Sequence, residues 1–411
     1  MKKTQLKLAV LVVVVLMVAV MALTGCGNAD NPVDSTDNAA TTDAGGDAAA
    51  DTNADSGDSA ANAGADNSGS STTASAGSGS WMWGDAAWEA AVRSKVEGQT
   101  LKIGFTPPAA SEFYDIIMHG AYSMMNELHD HFGVNFEFEF VAPSEHDAVE
   151  SQIATIENWA TKEFDVVLVC TAGDFDSMNS VYQKANDAGT AIYLFNMPAE
   201  LWDENSINMV SCISYNNGLQ AGALAGEYAA EKLNGEGKIL FISGNDGHWT
   251  AARKQGFEDT IAKYPGLSIV AEQRGEYVRD KGMAAAENML QANPDVNFIY
   301  GENEEMAQGA VQAIEAMGLK LWDGTEGIIV VGADGLVSGY EQISNGMLTA
   351  TVDVGHVDMG REAIRSIFMH EMLGYTLDKV TNVPAILVDA DNVAIPDAYA
   401  KWALSIEPAF N

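Results

Sequence analysis

From residue 101 onward, short apolar runs alternate with longer amphipathic stretches. The run 101–105 reads as a strand and 112–132 as a helix, after a helical lead-in at 83–96. Strand 134–141, helix 147–161, strand 164–170, helix 177–188 and strands 191–196 and 209–214 follow. The same grammar then restarts, with strands at 238–243, 267–272, 298–301 and 327–332 and helices at 250–263, 279–292 and 304–317. Gly318 punctuates as a helix C-cap and Gly335 as a turn residue. Strands rich in Val, Ile and Leu with helices between them imply parallel sheets covered on both faces. The expected fold is therefore α/β, with two similar doubly wound parallel-sheet lobes and a cleft between them.

Ligands of open parallel sheets sit beyond the carboxyl ends of the strands. In the first half that rule selects Ser111, Glu112, Phe113 and Tyr114, then Asn196 and Met197. In the second half it selects Asn245, Asp246, Trp249 and Arg253, then Tyr277, Asn303 and Asp334. Aromatic faces stack on the C–H faces of a sugar ring, while amide, carboxylate and guanidinium groups pair with its hydroxyls. Three of these residues have a second reading. Tyr277 equally suits core packing, Asn303 an N-cap before Glu304, and Asp334 a turn before Gly335.

The residues ahead of this region differ in kind. Lys2, Lys3 and Lys7 precede a wholly apolar run at 8–23, shorter than the roughly 20 residues that span a bilayer, so it reads as a signal segment. Leu23-Thr24-Gly25-Cys26 follows directly and resembles a bacterial lipobox, which implies cleavage before Cys26 and lipidation of its thiol. Residues 27–80 hold nine Asp, no Lys or Arg and no aromatic, a composition that cannot offset chain entropy by burial. They read as a tether with a reach of roughly 40 Å. Of the net charge of −37, the signal contributes +3 and the tether −9, which leaves −31 for 81–411. So acidic a chain excludes nucleic acid as a partner. Three cysteines are too few for a disulfide scaffold, and Cys170 and Cys212 are expected as buried free thiols.

The globular part resembles the periplasmic sugar-binding proteins of ABC importers, of the ribose/galactose type whose fold LacI-type regulators share. The likeness runs over about 101–390. It rests on Asn293-Pro294-Asp295-Val296, on Gly301-Glu302-Asn303-Glu304-Glu305-Met306-Ala307-Gln308-Gly309-Ala310, on Val331-Gly332-Ala333-Asp334-Gly335, and on Arg253-Lys254-Gln255-Gly256-Phe257. The resemblance implies a stacking pair at Phe113 and Tyr114 and an opposing aromatic at Tyr277. It also implies hydroxyl-binding groups at Arg253, Asn303 and Asp334. Two positions depart: Asn196-Met197 stands where the ribose type has Asp-Arg, and Val354 stands where it has Gln, with Asp353 and His356 nearby. The implied ligand is therefore related to ribose but different. Glu112 and Asp353 could restore a carboxylate, and Trp249 could add a stacking surface.

The resemblance further implies a signal peptide at 1–25, a lipidated Cys26 with linker to 80, and a binding domain at 81–411. Its first lobe would comprise about 100–215 and 355–380, its second about 216–354 and 381–411. The hinge would have three crossovers, near 214–217, 352–355 and 377–385. The implied function is extracytoplasmic capture of a monosaccharide or polyol by lobe closure, with delivery to ABC permease subunits. A monomer held to the cell membrane by its lipid is expected. A sensory or chemotaxis binding protein of the same fold stays open, as does a cyclitol, nucleoside or furanosyl signal as ligand.

An enzyme is not expected, because Gly-x-Ser-x-Gly, the phosphate-binding Gly-x-x-x-x-Gly-Lys-Ser/Thr and His-Glu-x-x-His are absent. No cofactor or metal is expected either. His129 and His131 stand two apart on a helix and do not share a face. A DNA-binding regulator is excluded by the leader in place of a headpiece.

Overall fold

The computed structural model describes residues 84–143, 148–173, 175–197, 209–215 and 218–410. The signal 1–25, Cys26, the tether 27–80, the expected helix start Asp147, and Asn216 and Asn217 of the first expected crossover lie outside the described residues.

The first lobe is built from helix α1 (Ala86–Val96), strand β1 (Thr100–Thr106), α2 (Glu112–Phe132), β2 (Asn135–Phe140), α3 (Val149–Thr161), β3 (Val166–Val169), α4 (Phe175–Asp187), β4 (Ala191–Phe195) and β5 (Met209–Ser214). The second continues with α5 (Leu219–Lys232), β6 (Glu236–Ser243), α6 (His248–Ile261), β7 (Gly266–Arg274), α7 (Arg279–Ala292), β8 (Phe298–Gly301), α8 (Glu304–Ala316), β9 (Ile329–Asp334), α9 (Val337–Ser344) and β10 (Ala350–Asp353). The chain then returns through α10 (His356–Ile367), which runs on as a π-helical turn to Met372, β11 (Val380–Asn382), β12 (Ile386–Asp389) and α11 (Ala394–Leu404).

Two six-stranded sheets result, ordered β11-β5-β4-β3-β1-β2 and β12-β10-β9-β8-β6-β7. The described pairings are parallel apart from β10 with β12. Central strands such as β3, Val-Val-Leu-Val, are buried throughout and show no alternation, as a sheet covered on both faces requires. Edge strand β2 instead alternates Phe with Glu. Helix α2 ends as its sequence dictates, at Gly133 in the left-handed region with its N–H on the His129 carbonyl.

The helix pairs approach closely because glycines face each other. A Cβ on Gly222 of α5 would stand 1.8 Å from the Arg253 carbonyl oxygen of α6. One on Gly256 of α6 would stand 2.1 Å from the Leu219 carbonyl oxygen of α5. This contact fixes the height of α6, and hence of Arg253, over the second sheet.

The chain crosses between lobes after β5, between β10 and α10, and between β11 and β12. Buried apolar side chains line the described part of each crossing. Tyr215, Val352, Val354, Val383 and Ala385 belong to one hydrophobic cluster that runs from the first sheet onto the second. A separate cluster with Leu240, Ile299, Ala310 and Val330 fills the other face of the second sheet.

Two expectations need correction. The sequence reading placed no element between Gly335 and the second crossover, where α9 and β10 form. It also placed all of 381–411 in the second lobe, whereas Asn382 pairs with Ser214 in the first sheet and the tail beyond α11 returns to the first lobe. There His119 Nδ1 bonds the Ile406 carbonyl at 2.9 Å, Asn126 donates to the Glu407 carbonyl at 2.8 Å, and Phe410 packs on Phe136 and Tyr122. The tail was invisible as a strap because its partners His119 and Asn126 lie 287 and 281 positions away.

Glu304, wholly buried at the start of α8, organises the end of the second sheet. Its Oε2 accepts from Gly335 N–H at 2.8 Å, Leu336 N–H at 3.1 Å and Thr351 Oγ1 at 2.8 Å. Burial pushes its carboxyl up to about 8, against the pull of those donors. Glu302, also wholly buried, is pushed up to about 8 for the same reason.

Two outcomes are expected. Gly222→Ala should force α5 and α6 apart and lower stability by about 1–3 kcal/mol in urea unfolding; an unchanged midpoint would show that the close approach is not required. For the buried acids, the cost of ionisation is absent below about 4.5, grows as pH rises, and is complete above about 8. The fold should therefore gain stability as pH falls from about 8 to about 5. Glu304→Gln should flatten that slope; an equal slope in the variant would assign it to other groups.

Candidate functional site

Arg253 projects from α6 toward the carboxyl ends of the second sheet and is only 5% exposed. A buried guanidinium must have its donors met and its charge offset. One Nη donates to the Glu302 carbonyl; the other donates to Tyr215 Oη at 2.6 Å and to Asp334 Oδ1 at 3.3 Å. Arg253 Nε has no partner among the described residues. Asp334 ends β9 at φ 151°, a region that non-glycine residues seldom occupy. Burial pushes its carboxyl up to about 6, and Arg253 restrains that rise.

Glu302 completes this wall. Its Oε2 accepts from Gly244 N–H at 2.7 Å, while Oε1 is buried with no partner among the described residues. Tyr215, at the first crossover, stacks on Trp249 with centroids 4.9 Å apart and planes 8° from parallel. The Trp249 indole then reaches the opposite lobe, where Nε1 donates to the Asn196 carbonyl at 3.1 Å.

On the first-lobe side, Asn196 follows β4 at φ 48°, a left-handed conformation that Asn tolerates. Its amide Nδ2 donates to Tyr114 Oη at 3.4 Å, and its Oδ1 is buried and unpartnered among the described residues. Tyr114 also meets the Cys170 thiol at 3.7 Å, and Phe113 lies edge-on to the Tyr114 ring at 5.1 Å. Cys170 and Cys212 are both free and buried, and burial pushes the Cys170 thiol up to about 12. Behind Phe113 lies His356, with ring centroids 5.9 Å apart.

The structure thus brings Tyr114, Asn196, Trp249, Arg253 and Asp334 together, with Phe113 at the margin. Other expected residues are engaged elsewhere. Asp353 accepts from Tyr340 Oη at 2.8 Å and Gly355 N–H at 2.8 Å and contacts His356 Nδ1 at 3.1 Å. Its carboxylate is spent on the second crossover. Glu112 Oε1 accepts from Ser338 N–H at 3.1 Å, which ties α2 to the start of α9 across the lobes. Asn303 caps α8, accepting from Met306 N–H at 3.0 Å, while its Nδ2 donates to the Tyr277 carbonyl at 3.4 Å. Tyr277, at φ 62°, bonds Thr250 Oγ1 at 2.7 Å and covers Gly244, where a Cβ would fall 2.0 Å from its ring. It forms a wall beside Glu302.

Sequence reasoning missed Tyr215, Glu302 and Cys170 as members of the group. Glu302 lay inside a quoted motif, and Tyr215 lay inside an expected crossover. Among the described residues, no cluster of three or more His, Cys, Asp or Glu is arranged to hold a metal ion. His129 Nδ1 instead contacts the Val134 carbonyl at 2.9 Å. The chemistry on offer is hydrogen bonding. Buried polar atoms are normally paired, and among the described residues Asn196 Oδ1, Arg253 Nε and Glu302 Oε1 find no partner.

Comparison with known proteins agrees with this architecture. The D-allose-binding periplasmic protein of Escherichia coli strain K12 is 29% identical over 260 residues, covering 61% of this chain and 80% of that protein. A ribose import binding protein of Salmonella typhimurium is 28% identical over 202 residues, covering 49% of this chain and 64% of that protein, a little under two thirds of its length. Among solved structures, an ABC transporter solute binding protein from Bacillus halodurans with bound myo-inositol has a TM-score of 0.62 at 24% identity, covering 74% of this chain and 99% of that one. The periplasmic component of an arabinose ABC transporter from Shewanella sp. ANA-3, bound to arabinofuranose, has a TM-score of 0.65 at 21% identity, covering 74% and 97%. At such identities the structural likeness concerns the fold. Residues 103–372 match the periplasmic binding protein domain, and with the two lobes described above this chain belongs to the periplasmic binding protein family.

Proposed function

We propose that this protein captures a monosaccharide or related polyol between its lobes outside the cytoplasm and hands it to the membrane subunits of an ABC importer. The observation that carries the reading is the convergence of buried polar groups from both lobes. Arg253, Asp334 and Glu302 come from the second lobe and Tyr114 and Asn196 from the first, with Trp249 and Tyr215 as a stacked aromatic floor. Vicinal hydroxyls donate to carboxylates and accept from a guanidinium, so one ring can engage both members of the Arg253–Asp334 pair.

Relatives named as D-allose-binding and ribose import binding proteins support a sugar ligand, an importer as partner and binding in place of turnover. The lipobox-like run before Cys26 supports a lipid anchor there, with 27–80 as the tether. Closure would follow from differential contact: a ligand held by both lobes stabilises only the state in which they meet.

Calorimetry of the full chain against monosaccharides, cyclitols and nucleosides tests the reading. Binding in the micromolar range or tighter is expected for one of them, and silence across the whole panel would overturn it. For the ligand found, Asp334→Asn removes the charge but keeps the shape and tolerates the unusual backbone angle. The variant should bind about 10- to 100-fold more weakly while still unfolding cooperatively, at a lowered midpoint because buried Arg253 loses its counter-charge. Undiminished affinity would take Asp334 out of the site.

A further inference from the structure

Helix α9 opens poorly capped by its own residues. Leu336 at the N-cap position has no side-chain acceptor, and no acidic residue stands in the first turn. The first N–H groups of a helix have no partner within it and carry the positive end of its dipole, so they favour an anionic acceptor. The amides of Gly335 and Leu336, just ahead of α9, are met from within the second lobe by Glu304. Ser338, the second residue of the helix, carries the N–H that a cap ordinarily serves. It is met from the other lobe, donating to Glu112 Oε1 at 3.1 Å.

Both ends of this bond are held in place. Ser338 Oγ accepts from Gln308 Nε2 at 3.1 Å, and wholly buried Gln308 accepts in turn from Gln342 Nε2 at 3.3 Å. Glu112 opens α2, and one turn on, Ile116 is buried in a small cluster against which Val337 of α9 packs. Glu112 adjoins Phe113, and Ser338 follows Asp334 by four positions, so the bond joins segments that carry site residues of opposite lobes. A second bond between the lobes, Trp249 Nε1 on the Asn196 carbonyl at 3.1 Å, comes from other elements.

Resting on the reading above that capture goes with lobe closure, we propose that Glu112 is a positioning residue for closure, capping α9 from the opposite lobe without touching the ligand. The cap exists only while the lobes meet. Opening strips α9 of its anionic acceptor and returns Ser338 N–H to water. The cap is therefore a bias toward the closed state that is present before any ligand arrives, and a ligand adds its own contacts to it.

Hydrogen exchange followed by nuclear magnetic resonance on the full chain, with no sugar present, tests this at the Ser338 amide and the Trp249 indole N–H. Both are shielded by bonds between the lobes, so one opening motion exposes both. Glu112→Ala should speed exchange at both by about fivefold, the worth of a helix cap. Glu112→Gln keeps a neutral acceptor and should restore most of the protection. Faster exchange at Ser338 alone would reduce Glu112 to a local cap and overturn its role in closure, as would unchanged rates at both. An equal rise at the Leu168 amide, deep in β3, would assign the effect to general loosening and overturn it too. For each monosaccharide, cyclitol or nucleoside that calorimetry shows to bind, Glu112→Ala should raise the dissociation rate by about the same factor and leave the association rate nearly unchanged. An unchanged dissociation rate would overturn the proposal. Silence of the whole panel would defeat the sugar reading, while the exchange rates would still decide the role of Glu112.

Discussion

The buried guanidinium of Arg253 is the constraint around which the second lobe and the crossover are arranged. A charge at 5% exposure is tolerable only if its donors and its field are met on the spot. Here the end of β8 gives the Glu302 carbonyl, the end of β9 gives the Asp334 carboxylate, and the first crossover gives Tyr215. Three separate segments are thereby held to one point. The position of that point depends on the glycine contact between α5 and α6, since nothing larger than hydrogen at Gly222 fits against the Arg253 carbonyl. Sequence, helix packing and site chemistry are linked through that one side chain.

A second constraint acts on the lobes. They are joined by three crossovers within one apolar cluster, and again by α11 and the tail, whose Phe410 is only 3% exposed. Tyr399 of α11 donates to Asp358 of α10 at 2.6 Å, and Arg361 of α10 lies over the Trp402 ring at 5.9 Å. Relative motion of the lobes must conserve these contacts or break them together.

How much of this was legible in the sequence varies with how local the signal is. Helices 112–132 and 279–292 were placed to the residue because an amphipathic period is a local pattern, ended by Gly133 in one and by Asn293-Pro294 in the other. Strand β7 was cut short because its outer end, Gln273 and Arg274, is exposed and polar although paired with β6. Short α9 and β10 were missed: eight and four residues give periodicity too little length to register. At the site, Asn303 illustrates a true ambiguity, since capping a helix and binding a hydroxyl call for the same amide. Glu302 illustrates another, because a wholly buried carboxylate and a solvated one are the same letter in the chain. Tyr215 went unnoticed because its importance arises only when Arg253, 38 positions on, is brought beside it.

These constraints also bear on what drives the lobes together. The direct contacts between the strand-end faces include Trp249 Nε1 on the Asn196 carbonyl and Ser338 N–H on Glu112. Each such bond is worth about 1 kcal/mol net. Against them stand Asn196 Oδ1, Arg253 Nε and Glu302 Oε1, buried without partners among the described residues, and each unmet group costs about 1–3 kcal/mol. Protein contacts alone are thus offset by the polar atoms that closure buries. A molecule that donates to the two oxygens and accepts from the guanidinium converts those costs into bonds, and does so only where both lobes reach it. On the proposed reading, these atoms are where the hydroxyls of a ligand held by both lobes would add the bonds that favour the closed state.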